Sequence, residues 1–169
     1  ADFYPTPRPE EIFYEFLGCQ VFCKLDLSNA YLQLEVHKSS QHLLTINSHA
    51  GLYRYSRLVF GLTSAPALFQ SFMDKILKGI PFCRAYLDDT LIGGRTRAEC
   101  EANVREVLLR LDSYNVKINA DKSIWFATSL PFLGFTISGK GRSPDPEKVK
   151  AISEMRIPSN VTELRAFLG

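Results

Sequence analysis

Three carboxylates stand out as residues that could do chemistry. Asp26 closes an alternating apolar run, and the adjacent pair Asp88-Asp89 lies between two further apolar runs. Ionised carboxylates held close together repel, and they stay charged only where a cation neutralises them. A donor set of oxygens without histidine or thiolate suits a hard ion such as Mg²⁺. Two such ions about 3.5–4 Å apart can activate an attacking oxygen and stabilise a leaving one, which is the chemistry of phosphoryl and nucleotidyl transfer. A plainer reading makes Asp88-Asp89 a solvated turn and Asp26 a cap, since Asp-rich turns are common. The carboxylates alone leave both readings open.

Other metal chemistries have less support. Cys19, Cys23, Cys83 and Cys100 fit no paired C-x-x-C zinc template, and His37, His42 and His49 cluster in one polar stretch apart from most of them. The cysteines read as reduced, partly buried thiols of an intracellular protein.

For the carboxylates to meet, the intervening elements must bring them together. Glu10 to Leu17 reads as a short amphipathic helix stopped by Gly18, and Gln20 to Leu27 alternates as a strand. Residues 31–60, with Leu32, Leu34, Val36, Leu44 and Ile46 and then Tyr53 to Leu58, read as small antiparallel strands. From Pro66 the period changes. Leu68, Phe69, Phe72, Met73, Ile76 and Leu77 follow helical spacing, with Pro66 in the first turn and Gly79 at the stop. Phe82–Leu87 and Thr90–Ile92 predict a hairpin turning on Asp88-Asp89. Thr96 and Glu99 form a capping box for a helix carrying Val104, Val107, Leu108 and Leu111. Val116–Ile118, Ser123–Phe126 and Phe132–Ser138 predict strands, with Gly139-Lys140-Gly141 as a turn. A helix follows from Asp145-Pro146 to about Met155 and ends by Pro158. Leu164 to Gly169 read as the first turns of a helix cut short, so the chain reads as an excerpt of a longer polypeptide.

With 31–60 set aside, the order is strand, helix, strand, strand, helix, strand. This predicts an α+β, ferredoxin-like split βαββαβ arrangement. Right-handed crossovers make the first and second strands parallel with the third between them, which brings Asp26 and Asp88-Asp89 to one sheet edge.

Composition bounds the rest. The 169 residues suffice for one domain, or one domain and a stub, and 46% hydrophobic with 22% charged residues excludes a disordered chain. No apolar run reaches the ~18 residues of a membrane span, and Pro5, Pro7 and Pro9 interrupt any signal peptide. Twenty basic against eighteen acidic residues give a net charge of +2, so any nucleic-acid binding must be local.

Tyr86-Leu87-Asp88-Asp89 resembles the Tyr-x-Asp-Asp box of reverse transcriptases, and its neighbours stand in the matching order. Residues Phe22 to Tyr31 resemble the first catalytic motif and Phe60 to Gln70 the second. Ile118 to Lys122 resemble the lysine-bearing fourth motif, and Phe132-Leu133-Gly134-Phe135 the primer-grip segment. Tyr4-Pro5-Thr6-Pro7-Arg8 and Leu164 to Gly169 point to the gypsy-type (metavirus) retrotransposon branch. The resemblance covers nearly the whole chain. It implies the palm of a right-hand polymerase with a small antiparallel β fingers insertion and the start of a helical thumb. Residues 1–33 would end the fingers and begin the palm, 34–65 would be fingers, 66–139 palm and 140–169 the beginning of the thumb.

The resemblance also implies roles. Asp26, Asp88 and Asp89 would hold two Mg²⁺ ions, with Mn²⁺ as a substitute and the Leu27 carbonyl as an added ligand. The amides of Asn29 and Ala30 would face the incoming triphosphate, and Tyr31 would be the steric gate against a ribose 2′-OH. Phe60 and Gly61 would flank nucleotide and template, with close backbone approach explaining the glycine. The helix from Pro66, including Gln70, would lie beneath the template. Tyr86, Phe132, Leu133 and Gly134 would hold the primer, and Lys122 would be a general acid for the leaving pyrophosphate. Partners would be an RNA or DNA template, a primer, dNTPs and the remaining fingers, thumb, RNase H and integrase regions of a Pol polyprotein, with no membrane and a cytoplasmic retroelement particle as the setting. Val59 departs from the branch's usual proline, and Cys23 from its common serine. Two alternatives stand beside this: a catalytically incompetent remnant or excerpt that only binds nucleic acid, and a nucleotide cyclase on the same scaffold.

Overall fold

The computed structural model describes residues 4–154 and 157–168. In chain order, α1 (Pro9–Glu15) and β1 (Val21–Leu27) lead into two 3₁₀ segments, Ala30–Gln33 and Lys38–Leu44, and the hairpin β2 (Thr45–Ser48) and β3 (Gly51–Arg54). There follow α2 (Ala65–Leu77), β4 (Cys83–Tyr86), β5 (Asp89–Gly94), α3 (Arg97–Ser113) and β6 (Ile118–Ala127). The chain then forms β7 (Ser129–Phe132), β8 (Phe135–Ser138), β9 (Gly141–Pro144), α4 (Pro146–Ser153) and α5 (Val161–Leu168).

The central sheet has the order β4-β5-β1-β6, and every neighbouring pair is antiparallel. Strands β1 and β4 therefore run parallel with β5 between them, as the split βαββαβ order requires. Alternation along β1 decides what each face does. Cys23, Leu25 and Leu27 are buried against the stripe Phe69, Met73, Ile76 and Leu77 of α2 and against Val104, Val107 and Leu111 of α3. Residues on the opposite face are Phe22, Lys24 and Asp26. Phe22 is covered by a second core in which Ile12 and Phe13 of α1 and the capping Phe16 meet Leu91, Leu130, Phe132 and Ile137. Lys24 and Asp26 are only half buried, so this face is closed at one end and open at the carboxylate end.

Residues 31–60 differ from expectation. Among them only β2 and β3 form a ladder, and Glu35 and Arg57 add one isolated bridge. The stretch carrying Leu32 is a 3₁₀ turn because the Gln33 side chain supplies what a strand partner would have supplied. Its amide donates to the carbonyls of Ser28 and Lys117 (2.5 and 2.8 Å) and accepts from the Lys117 N–H at 2.6 Å. The expected strand Phe132–Ser138 is instead split into a hairpin, since Leu133 and Gly134 take φ values of 52° and 79° and turn the chain between β7 and β8. At α3 the capping box is shifted on one side. Thr96 Oγ1 accepts the Glu99 N–H at 3.2 Å, whereas the Glu99 carboxylate accepts from Arg95 N–H at 2.6 Å. The expected helix end at Met155 lies outside the described residues. No helix among the described residues is long and apolar enough to cross a membrane.

Candidate active site

Strand register brings the carboxylates together. Asp26 near the end of β1 is the Cα partner of Asp89 at the start of β5, and the Leu27 N–H donates to the Asp88 carbonyl at 3.2 Å. On its other side Asp26 pairs with Asn119 of β6. Two residues further back, Lys24 pairs with Ile124, so five residues of β6 advance against two of β1. That bulge explains why β6 reads as two strands in the sequence. Ser123 closes it: its hydroxyl accepts the Asp26 N–H at 3.1 Å and donates to the Asn119 carbonyl at 2.7 Å. Lys122 stands on the bulge with its side chain exposed.

The hairpin turns on Leu87-Asp88, one residue earlier than expected, because Asp89 already pairs with Tyr86. Leu87 takes φ 53°, a left-handed conformation that costs a non-glycine residue about 1–3 kcal/mol. Gln70 of α2 holds it there. Its side chain is fully buried, its Oε1 accepts the Leu87 N–H at 3.0 Å and its Nε2 donates to the Ala85 carbonyl at 2.8 Å. Gln70 is thus a buried amide that props up the acidic turn.

Burial is the main influence raising the Asp89 carboxyl pKa above its ordinary value. The Lys24 ammonium opposes this, while the negative charges of Asp88 and Asp26 add to it. Lys24 Nζ lies 3.9 Å from Asp89 Oδ1. A carboxyl whose folded-state pKa is raised contributes stability that is fully present below its unfolded pKa and is lost as pH rises through the folded value. Ionised Asp89 therefore destabilises the fold at neutral pH. Asp89→Asn is expected to raise the thermal midpoint at pH 7 and to change it little in acid below the ordinary carboxylate range. Melting curves at both pH values check this, and a lower midpoint at pH 7 counts against a desolvated, repelled carboxylate.

Among the described residues, no three His, Cys, Asp or Glu side chains converge into a ready metal cage. Asp26, Asp88 and Asp89 are nonetheless backbone neighbours with hard oxygen donors, and their mutual repulsion is partly offset by the Lys24 ammonium. The donor chemistry fits a hard divalent cation.

Around the carboxylates, Tyr31 lies edge-on to Phe60 at 4.8 Å and to Phe69 at 5.3 Å. Its phenol pKa is raised by burial and by the field of Asp88. Asn29 is exposed in a left-handed conformation (φ 50°) and Ala30, which opens the 3₁₀ turn, is buried. Phe60 is 64% exposed. Gly61 has φ 90°, and no protein atom lies within 4 Å of where a Cβ would stand. Conformation, not crowding within the protein, demands that glycine. Pro66 sits half buried in the first turn of α2, and Tyr86 packs beside the second core. Phe132 is a core residue, 1% exposed, so of the expected primer segment the Leu133-Gly134 turn is the accessible part.

Sequence reasoning gave no individual role to Lys24, Ser123, Asn119 or Asp74. Lys24 was legible, since residues two apart on a strand share a face. Ser123 and Asn119 act through the bulge, and Asp74 Oδ1 accepts from Gln70 Nε2 at 3.0 Å; neither arrangement has a local sequence period.

A family model described as Reverse transcriptase (RNA-dependent DNA polymerase) matches residues 5–137. An uncharacterized protein of Caenorhabditis elegans is 38% identical over 168 residues, covering 99% of this chain and 13% of its own length. The Retrovirus-related Pol polyprotein from transposon 297 of Drosophila melanogaster is 36% identical over 170 residues, with 99% and 16% covered. The Transposon Tf2-3 polyprotein of Schizosaccharomyces pombe is 34% identical over 168 residues, with 98% and 13% covered. The chain thus spans only 13% to 16% of the length of these relatives. Among solved structures, the foamy viral protease-reverse transcriptase in complex with RNA/DNA hybrid superposes with a TM-score of 0.88 at 25% identity, covering 98% of this chain and 23% of that one. The same enzyme with dsDNA gives 0.87 at 25% identity, with 98% and 35% covered.

Proposed function

This chain belongs to the reverse transcriptase (RNA-dependent DNA polymerase) family, and we propose that it forms the palm of a polymerase that copies an RNA or DNA template into DNA. The observation that carries this is the register setting Asp26 opposite Asp89 and joining Leu27 N–H to the Asp88 carbonyl. In this reading residues 1–33 and 66–139 are the palm with the end of the preceding fingers, 34–65 are fingers, and 140–169 begin the thumb. The retrotransposon relatives support a gypsy-type element, whose remaining fingers, thumb, RNase H and integrase regions would belong to the parent polyprotein and whose setting would be a cytoplasmic particle. The nucleic acids bound by the solved relatives support a template and primer as partners.

Asp26, Asp88 and Asp89, with the Leu27 carbonyl, would hold two Mg²⁺ or Mn²⁺ ions, which when bound supply charge neutralisation at the reacting phosphate. The chain's own residues do the rest. Left-handed Asn29 followed by a helical turn presents successive amides of the kind that cradle anions, so Asn29 and Ala30 face the triphosphate. Tyr31, braced by Phe60 and Phe69, fills the space of a 2′-OH. Phe60 and Gly61 flank nucleotide and template, Pro66 starts the helix beneath the template, and Tyr86 with the Leu133-Gly134 turn borders the primer. Lys122 on the bulge donates to the leaving pyrophosphate.

Primer extension by the full-length polypeptide on RNA and DNA templates tests the reading. Product is expected from dNTPs when Mg²⁺ or Mn²⁺ is supplied, and a folded protein that extends on neither template overturns it. Tyr31→Ala is expected to raise ribonucleotide use relative to dNTPs about tenfold or more, the scale of 1–3 kcal/mol for relieving one small steric conflict. Competition between the two nucleotide pools measures it.

A further inference from the structure

We propose that Asp74 is a positioning residue for the acidic turn, acting through Gln70 and anchored from its other side by Tyr4. The Tyr4 hydroxyl donates to Asp74 Oδ2 at 2.7 Å, and Gln70 Nε2 donates to Asp74 Oδ1 at 3.0 Å. Gln70 in turn holds Ala85 O and Leu87 N–H. A relay thus runs from the segment before α1, through α2, to the turn that carries Asp88.

Each polar group of the Gln70 amide needs a partner, because the side chain is fully buried. Its oxygen is used by Leu87 N–H and one amide hydrogen by the Ala85 carbonyl. Asp74 takes the second hydrogen, and bonds to a carboxylate are stronger than neutral ones. Removing the carboxylate leaves a buried N–H without a partner. The Gln70 side chain can then rotate in search of another acceptor, which releases Leu87 N–H. Leu87 is left-handed at φ 53°, so the turn depends on that bond to stay where Leu27 N–H meets the Asp88 carbonyl at 3.2 Å. The Tyr4 phenol pKa is raised, chiefly by its hydrogen bond to Asp74, which keeps the hydroxyl as the donor.

The consequence for catalysis rests on the polymerase reading, whereas the effect on the turn does not. Asp74→Ala and Asp74→Asn in the full-length polypeptide separate the two. Asn can preserve the pattern, its carbonyl accepting from Gln70 while the Tyr4 hydroxyl reverses to accept from its amide. Asp74→Ala is expected to lower kcat for primer extension about tenfold or more, as loss of an outer-shell partner commonly does, with the nucleotide KM little changed. Asp74→Asn recovers most of the rate. Hydrogen exchange read by mass spectrometry should accelerate in a peptide covering 83–91 and not in one covering 100–111 of α3. Unchanged exchange at 83–91, equal acceleration in both peptides, or an Asn variant as impaired as the Ala variant overturns the proposal. If the unaltered protein extends no primer, the polymerase reading fails while the exchange result still decides the relay. Should Asp74→Ala not fold, Tyr4→Phe, which removes only the hydroxyl, is read by the same exchange comparison.

Discussion

Asp88→Asn is expected to lower kcat for primer extension about 10³-fold, roughly 4 kcal/mol of transition-state stabilisation, while leaving the thermal midpoint nearly unchanged. The two halves of this expectation have different causes. Asp88 is exposed at the turn, and among the described residues its side chain makes no hydrogen bond or ion pair. Its backbone carbonyl, which receives Leu27 N–H, survives the substitution. Asn keeps the shape and removes the charge, so the fold loses nothing that the charge supplied. The proposed metal site loses a ligand whose charge matters most where charge develops at the reacting phosphate. Single-turnover extension beside a melting curve checks both halves. A variant that extends primers at the parent's rate removes Asp88 from the proposed machinery.

Phe69→Ala is expected to cost about 3–5 kcal/mol of stability, a large share of the 5–15 kcal/mol available to a typical domain. Phe69 is fully buried at the centre of the main core. It is also the floor beneath Tyr31, edge-on at 5.3 Å. Loss of the ring therefore reaches the proposed nucleotide site: in the molecules that remain folded, Tyr31 loses the buried ring of its aromatic brace while the exposed Phe60 ring remains, and discrimination against ribonucleotides falls. Denaturant midpoints measure the first effect and nucleotide competition the second. Full discrimination in the folded Ala variant means that Phe60 alone suffices to hold the Tyr31 ring.

Much of the fold follows from local patterns. Period-two alternation marks β1, and period-3.6 stripes mark α2 and α3, each with a cap or stop from Pro66, Gly79 or Thr96. Their order alone leads to a four-stranded sheet with β1 parallel to β4. Failures of the local reading fall where side chains replace backbone partners. Gln33 turns an apparent strand into a 3₁₀ segment, and Ser123 stitches across a bulge that reads as a break. Cys23 likewise serves as a side-chain partner for distant backbone: its Sγ accepts the Phe126 N–H at 3.0 Å.

Local sequence shows which groups are available and roughly where: three carboxylates at strand ends, a tyrosine just beyond the first strand, and an ordered set of motifs that resemble those of reverse transcriptases. Period, capping and chemical identity are local properties, and a linear chain displays them directly. Tertiary structure alone decided that the turn is Leu87-Asp88, that Gln70 is a buried prop instead of a surface contact, and that Asp74 and Tyr4 stand behind it. Those facts rest on side-chain hydrogen bonds between residues far apart in the chain, where burial makes every unpaired polar group costly. Only the packed fold can specify which distant partner satisfies each one.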